Sequence, residues 1–493
     1  MTKGSLLFIF KLRLNLSWFP LGILVLSSLL SKDLQANNSN NLPQLGTIAQ
    51  HTLSIAQERQ IGDIYMRATR SQQPIIFDPI LNQYIDELGG RLVLHAQDVN
   101  APFTFFTINN ETINAFAFFG GHVGLHSGLL LTADTESELA SVIAHEIAHI
   151  TQRHLARSIE AMQQKQPLTM ASILGGILLT IISPEAGLAT LAATGAIAQQ
   201  SAVTNIREHE IEADSIGMVM MARASFNPNG VTTLFSKLAE KSSSNQVPQI
   251  LMTHPLPQSR LEKAFQRAQQ YKGQKYYESE NFMFAKRRIE IRYSKKNHNA
   301  ILRDINAGLK KTPNLAHLQY AKALIHFQQE NYQKAQAILT PLLKKTPENM
   351  FFLDLQADIY NATKQYKQGI RLLLSHYKLQ PSNQVLAYNL AFLYQENNQT
   401  KEAIQVLETL SYQHKNTPEL YKMLMNAYLK EKNRALYYQA NAHFLSLYAR
   451  YDEALIELNK AKPLLKKNQI NSAILQEKIK QIQVLKQQYE QIL

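Results

Sequence analysis

Hydrophobic and polar positions alternate in three different ways along this chain. In Leu139, Ile143, Ile147 and Ile150 the apolar residues recur at three- and four-residue steps, predicting a helix with one buried face. Asp134 or Thr135 would cap it, with Glu136 and Glu138 in its first turn. Just upstream, Phe116-Ala-Phe-Phe, then Gly-Gly, then Val123 and Leu125 alternate at a step of two, as in a hairpin or edge strand. From residue 301 onward the pattern is periodic at 34: Ala323, Ala357 and Ala391 keep that step, as do Ala335, Gly369 and Ala403. Leu339, Leu373 and Leu407, and Pro313, Pro347 and Pro381, follow it too. This period and these small residues predict tetratricopeptide repeats stacked as a solenoid. A further unit over Ala442, Tyr451, Ala454 and Leu458 stands 51 residues from Ala391, implying an insertion or a degenerate repeat. Ile470–Leu493 reads as a polar capping helix.

Two other apolar stretches need separate readings. Leu14 to Ser31 follows Lys3, Lys11 and Arg13 and precedes Ala36 and an Asn-rich segment. That is the layout of an export signal cleaved near Ala36, the alternative being an uncleaved anchor. Ala171–Ser183 and Ala186–Ala198 form two thirteen-residue arms around Pro184-Glu185. Each is short of the ~20 residues that cross a bilayer. A Gly/Ala-rich core hairpin and a hairpin leaning on a membrane surface both fit.

Composition narrows the chemistry. The 493 residues contain no cysteine, so disulfides, thiolate metal sites and cysteine nucleophiles are excluded. The net charge of +13 is uneven. Residues 37–285 carry 16 basic and 21 acidic side chains, and residues 286–493 carry 31 and 16. The excess therefore lies in the repeats. Together with export, this favours a basic protein-docking surface over nucleic-acid binding.

His145-Glu146-Ile147-Ala148-His149 puts two imidazoles on one helical face, opposite the isoleucines. Both can reach one metal ion, with Glu146 beside them as a candidate general base. A second acidic helix start, Glu208-His-Glu-Ile-Glu-Ala-Asp214, offers the third ligand. Glu210 pairs with Asp214 at i and i+4, so Asp214 can orient a ligand histidine. Glu208 and Glu212 are rival ligands that spacing does not separate. Ala213 and Gly217 would let another helix come close. His154 falls off the metal-facing side of the same helix and reads as structural. His122 and His126 share one face of an extended segment and read the same way.

With these segments in hand, the chain resembles the gluzincin metalloproteases of the HtpX and CAAX-processing type. The fuller resemblance is to periplasmic BepA-type members, which join this protease domain to tetratricopeptide repeats. The matching stretches are Asn114–Gly128, Glu136–Arg157, the Glu210 helix and His254-Pro-Leu-Pro-Gln-Ser-Arg260. The resemblance implies one Zn2+ per chain on His145, His149 and Glu210, Glu146 as catalytic base, and His254 as a fourth, inhibitory ligand. It implies substrate or transition-state support by Asn114, Phe116 and Arg260, with Arg260 alternatively bracing the His254 loop. The expected fold is mainly α: residues 1–36 a signal, 37–270 an α+β protease domain with a small sheet and edge strand, 271–300 a linker with the first repeat helices, and 301–493 an α-helical solenoid. The implied function is a periplasmic endopeptidase with a chaperone-like role in the Gram-negative envelope. Its substrates would be misfolded or stalled outer-membrane proteins, and its repeats would dock the β-barrel assembly machinery. Peripheral membrane contact is expected at most, and no nucleic acid. The alternative is a non-proteolytic chaperone or adaptor whose zinc site is capped or structural.

Overall fold

The computed structural model describes residues 53–165, 169–193, 200–243, 247–465 and 469–492. The expected signal over 1–36 and the end of the second apolar arm lie outside them. Helix α1 (Ile55–Gln72) begins with a capping box: Gln57 N donates to the Ser54 hydroxyl and Ser54 N to Gln57 Oε1. Helix α2 (Pro79–Val93) starts on Asp78 as cap, with Pro79 in the first turn. Three strands follow, β1 (Thr104–Ile108), β2 (Ala115–Phe118) and β3 (His122–His126), in the order β1-β3-β2. Central β3 runs parallel to β1, with Thr104 opposite His122, and antiparallel to β2, with Ala115 opposite Leu125. The β2–β3 turn uses Gly120 and Gly121 at φ 79° and 84°. A Cβ on Gly121 would fall 2.2 Å from the Pro102 carbonyl oxygen, so only glycine fits there. The alternating stretch is thus a hairpin, and β2 is its edge strand.

Helix α3 (Ser127–Thr132) leads into α4 (Glu136–Thr151), whose first turn is capped by the Thr135 hydroxyl. Leu139, Ile143 and Ile147 are fully buried, whereas Ile150 is half-buried and faces a cleft. The helix stops at Thr151, and Arg153 turns the chain at φ 53°. A new helix, α5 (His154–Lys165), then begins. His154 is therefore not on the metal-motif helix, contrary to the periodicity. The apolar arms are α6 (Met170–Ile182) and α7 (Pro184–Ala193). No helix among the described residues is long and apolar enough to cross a membrane. Helix α8 (Gln200–Arg223) packs along α4, with Ala213 buried at the contact. A Cβ on Gly217 would lie 3.3 Å from the Ala144–His145 backbone, so the two helices approach closely there. Helices α9 (Asn229–Ser243), α10 (Ile250–Thr253) and α11 (Gln258–Ala268) complete this part.

After α12 (Glu280–Arg292) and α13 (His298–Lys311), the helices pair at a fixed period. They are α14 (Ala316–Gln328), α15 (Tyr332–Lys345), α16 (Met350–Ala362), α17 (Tyr366–Leu379), α18 (Gln384–Glu396), α19 (Thr400–Gln413), α20 (Pro418–Lys430) and α21 (Arg434–Ser446). Every turn inside a pair contains one left-handed residue: Glu330, Lys364, Asn398 and Lys432, at φ 57–61°. The 51-residue offset needs no insertion. Helices α20 and α21 keep the 34-residue step, with Met425 and Tyr437 where earlier units carry small residues. The next helix, α22 (Tyr451–Leu465), packs on α21 through Ala442 and Ala454. Helix α21 thus closes one pair and opens the next, and the offset is one and a half periods. Ala449, left-handed at φ 57°, marks this half-step. Helix α23 (Gln469–Ile492) ends the chain, and its Tyr489 and Ile492 pack near α6.

The repeats are bolted to the N-terminal part by a buried charge cluster. Arg288 on α12 donates from Nε to Asp78 Oδ2 at 2.7 Å, from NH1 to Tyr320 at 3.1 Å, and pairs with Asp354 at 2.8 Å. Burial raises the Asp78 carboxyl, but Arg288 and Arg292 outweigh it and hold the group below its ordinary value. The apolar core is continuous across this junction, from Ile76 through Phe284 to Val385. Arg288→Ala strands two buried carboxylates and should cost about 3–5 kcal/mol, read as a lowered unfolding midpoint. Glu330→Gly, Lys364→Gly and Lys432→Gly each relieve a left-handed non-glycine. Each should raise stability by up to about 1 kcal/mol in the same assay.

Candidate active site

Helix α4 delivers His145, Glu146 and His149, α8 delivers Glu210, and the loop after α10 delivers His254. One ligand atom from each of His145, His149, Glu210 and His254 lies within 4.8 Å of the others. His145 Nε2 is 2.9 Å from His149 Nε2 and 3.3 Å from His254 Nδ1. Glu210 Oε1 is 3.0 Å from His254 Nδ1 and 3.4 Å from His149 Nε2. A tetrahedron with metal–ligand bonds of ~2.0–2.1 Å has edges of about 3.3–3.4 Å, so these separations suit one tetrahedral ion. The donor set of three imidazoles and one carboxylate is also that of a zinc site. Glu146 is buried beside it, and its Oε1 makes no hydrogen bond, lying 3.5 Å from His254 Nε2.

The site is strongly polarised. Burial pushes the Glu210 carboxyl up, but the His254 and His145 rings overcome this and hold it well below its usual value. The His145 ring, disfavoured as a cation by burial, is nevertheless raised to about 10 by Glu210 and Asp214. Burial and the neighbouring His145 drive His149 the other way. Burial also raises Glu146.

A supporting ring of side chains holds these groups. His145 Nδ1 lies 3.0 Å from Asp214 Oδ1. Arg260 clamps Asp214 with two bonds of 2.8 Å, reaches Glu210 at 2.7 Å and donates to the Pro255 carbonyl at 2.7 Å. It is 3% exposed and its donors are committed, so of its two sequence readings the geometry favours bracing the His254 loop over meeting an oxyanion. The same loop is tied to the sheet side: Ile250 N donates to the Ile113 carbonyl at 3.0 Å, and Thr112 Oγ1 to Gln249 Oε1 at 3.0 Å.

The remaining candidates fall into place around the cleft. Asn114 and Phe116 line it with Glu146, His149, His254 and, from the apolar hairpin, Ile177 and Ile181; its volume is about 250 Å³. Asn114 Oδ1 is buried there without a hydrogen-bond partner. Glu208 is exposed and away from the cluster. Glu212, the other rival, faces His154 at 3.0 Å and Arg157 at 3.0 Å. His126 is bonded to Thr112 at 2.8 Å, and His122 is buried in β3. Sequence reasoning read His154 as a structural residue pointing away from the metal-facing side, but its Nδ1 sits 2.7 Å from His149 Nδ1. On an unbroken helix, a residue five positions on points about 140° away. Only the turn at Arg153 brings it back, and a helix stop at Thr151-Gln152-Arg153 was the one available signal.

Fold and site together define a metallopeptidase-type domain followed by helical repeats. Residues 79–268 match peptidase family M48, and residues 360–428 match a tetratricopeptide repeat, so the chain carries both domains. It is 45% identical over 314 residues to the putative beta-barrel assembly-enhancing protease of Vibrio cholerae, covering 62% of this chain and 64% of that protein. Against the beta-barrel assembly-enhancing protease of Escherichia coli it is 45% identical over 312 residues, covering 62% and 63%. The chain thus aligns with a little under two thirds of these relatives' length. A mitochondrial metalloendopeptidase of Saccharomyces cerevisiae is 30% identical over 219 residues, covering 43% and 55%.

Arg260→Ala removes the clamp on two buried carboxylates and the Pro255 carbonyl. It should destabilise the fold by about 3–5 kcal/mol and speed hydrogen–deuterium exchange over residues 250–257.

Proposed function

We propose that this chain is a zinc-dependent endopeptidase of the Gram-negative periplasm, acting on misfolded or stalled outer-membrane β-barrel proteins and also assisting their assembly. The observation that carries the reading is the convergence of four ligand atoms beside a buried glutamate whose Oε1 makes no hydrogen bond, in a cleft bordered by an edge strand. In this reading His145, His149 and Glu210 hold one zinc ion, and His254 is a fourth, inhibitory ligand. Bound zinc supplies an activated water and polarises the scissile carbonyl. Glu146 accepts the water's proton on its free carboxylate oxygen and returns it to the leaving amine. An extended substrate pairs with the open edge of β2, against Asn114 and Phe116. Asp214 orients His145, and Arg260 braces the loop that carries His254.

The names of the two bacterial relatives support a protease that acts in β-barrel assembly. The basic N-terminus and apolar run support export with cleavage near Ala36. The repeat domain would dock the β-barrel assembly machinery, since stacked repeats of this kind present a protein-binding groove. A second reading, a non-proteolytic adaptor, draws on His254 Nδ1 standing at the fourth corner of the cluster.

One experiment separates the two. Zinc content and cleavage of casein and of misfolded β-barrel proteins are measured for wild type, Glu146→Gln and His254→Ala. All three should bind zinc. His254→Ala should cleave faster than wild type, and Glu146→Gln should lose about 10²–10⁴-fold. Wild type and His254→Ala both zinc-loaded and inactive would leave only the adaptor.

A further inference from the structure

We propose that His154 is a positioning residue for His149, setting its tautomer and ring plane so that its Nε2 faces the metal position; this rests on the metal-site reading above. The argument starts from Glu212, whose ionised carboxylate only accepts hydrogen bonds. His154 Nε2 lies 3.0 Å from Glu212 Oε2, so that nitrogen carries the proton. In a neutral ring His154 Nδ1 is then a lone pair. It sits 2.7 Å from His149 Nδ1, a contact that needs one donor and one acceptor. His149 therefore donates from Nδ1, and its lone pair is left on Nε2. That atom is the one lying 2.9 Å from His145 Nε2 and 3.4 Å from Glu210 Oε1.

One negative charge thus sets two protons in sequence, on His154 Nε2 and on His149 Nδ1. Arg157 NH1 fixes Glu212 from the far side at 3.0 Å. The His209 ring stacks on His154 with centroids 4.3 Å apart and planes 8° from parallel, which keeps the imidazole from swinging. The other motif histidine has a shorter version of the same device, His145 to Asp214 to Arg260. The two carboxylates stand two residues apart on α8, on either side of Ala213. His149 needs the extra imidazole because its Nδ1 points toward the start of α5, where His154 stands between it and Glu212.

The test uses the full chain. Zinc affinity is measured by competition with a chromophoric chelator for wild type, His154→Phe and His154→Asn, and the visible spectrum of each is recorded with Co2+. Phenylalanine keeps the ring and removes both nitrogens, while asparagine restores an acceptor near the position of Nδ1. Expected are one zinc per wild-type chain, a 10–100-fold weaker His154→Phe with a changed cobalt spectrum, and partial recovery in His154→Asn. Unaltered affinity in His154→Phe, or a His154→Asn as weak as His154→Phe, overturns the inference alone. A wild type that binds no zinc overturns the metal-site reading and this inference with it.

Discussion

Helix α8 buries or half-buries carboxylates at positions 210, 212 and 214 within one and a half turns, and the N-terminal part is arranged around compensating them. Unpaired, such charges would cost several kcal/mol each. Each has its own cationic or hydrogen-bonding partners: Glu210 the histidine cluster and Arg260, Glu212 His154 and Arg157, Asp214 His145 and Arg260. The elements that bring those partners are the ones that look irregular. They are the broken helix at Arg153, the proline-stiffened loop at His254 and the short helix α11. Close approach of α4 and α8 at Gly217 makes the arrangement possible, because a side chain there would separate the histidines from the carboxylates.

The repeat part obeys a different constraint. A helix pair cannot bury its apolar face alone, so each unit leans on the next, the first leans on α12, and α16 and α18 pack on α2. The Asp78–Arg288–Asp354 cluster sits at that junction inside a core shared by both parts. At the far end, the half-step at α21 lets one helix serve two partners. The last helix then returns to pack near the apolar hairpin α6, whose inner residues line the cleft.

Much of this was legible in the chain. The 34-residue step located the helix pairs because small residues must recur wherever helices touch. The isoleucine spacing oriented α4 because a 3.6-residue period separates a buried face from an open one. Glycines at 120 and 121 marked the hairpin turn. Three carboxylates at alternate positions were visible too, but their separate duties were not, since spacing along one helix carries no information about what stands opposite.

By itself the sequence determined the local order: which segments are helical, where the repeats fall, that metal ligands must be His and carboxylate in a chain without cysteine, and which two histidines share a face. Tertiary structure alone decided that Glu212 faces His154, that Arg260 is spent on Asp214 and Glu210, and that the 51-residue offset is a shared helix. The reason is physical. Periodicity reports which way a side chain points from its own helix axis, while partners at 2.7–3.0 Å depend on where a second element crosses it.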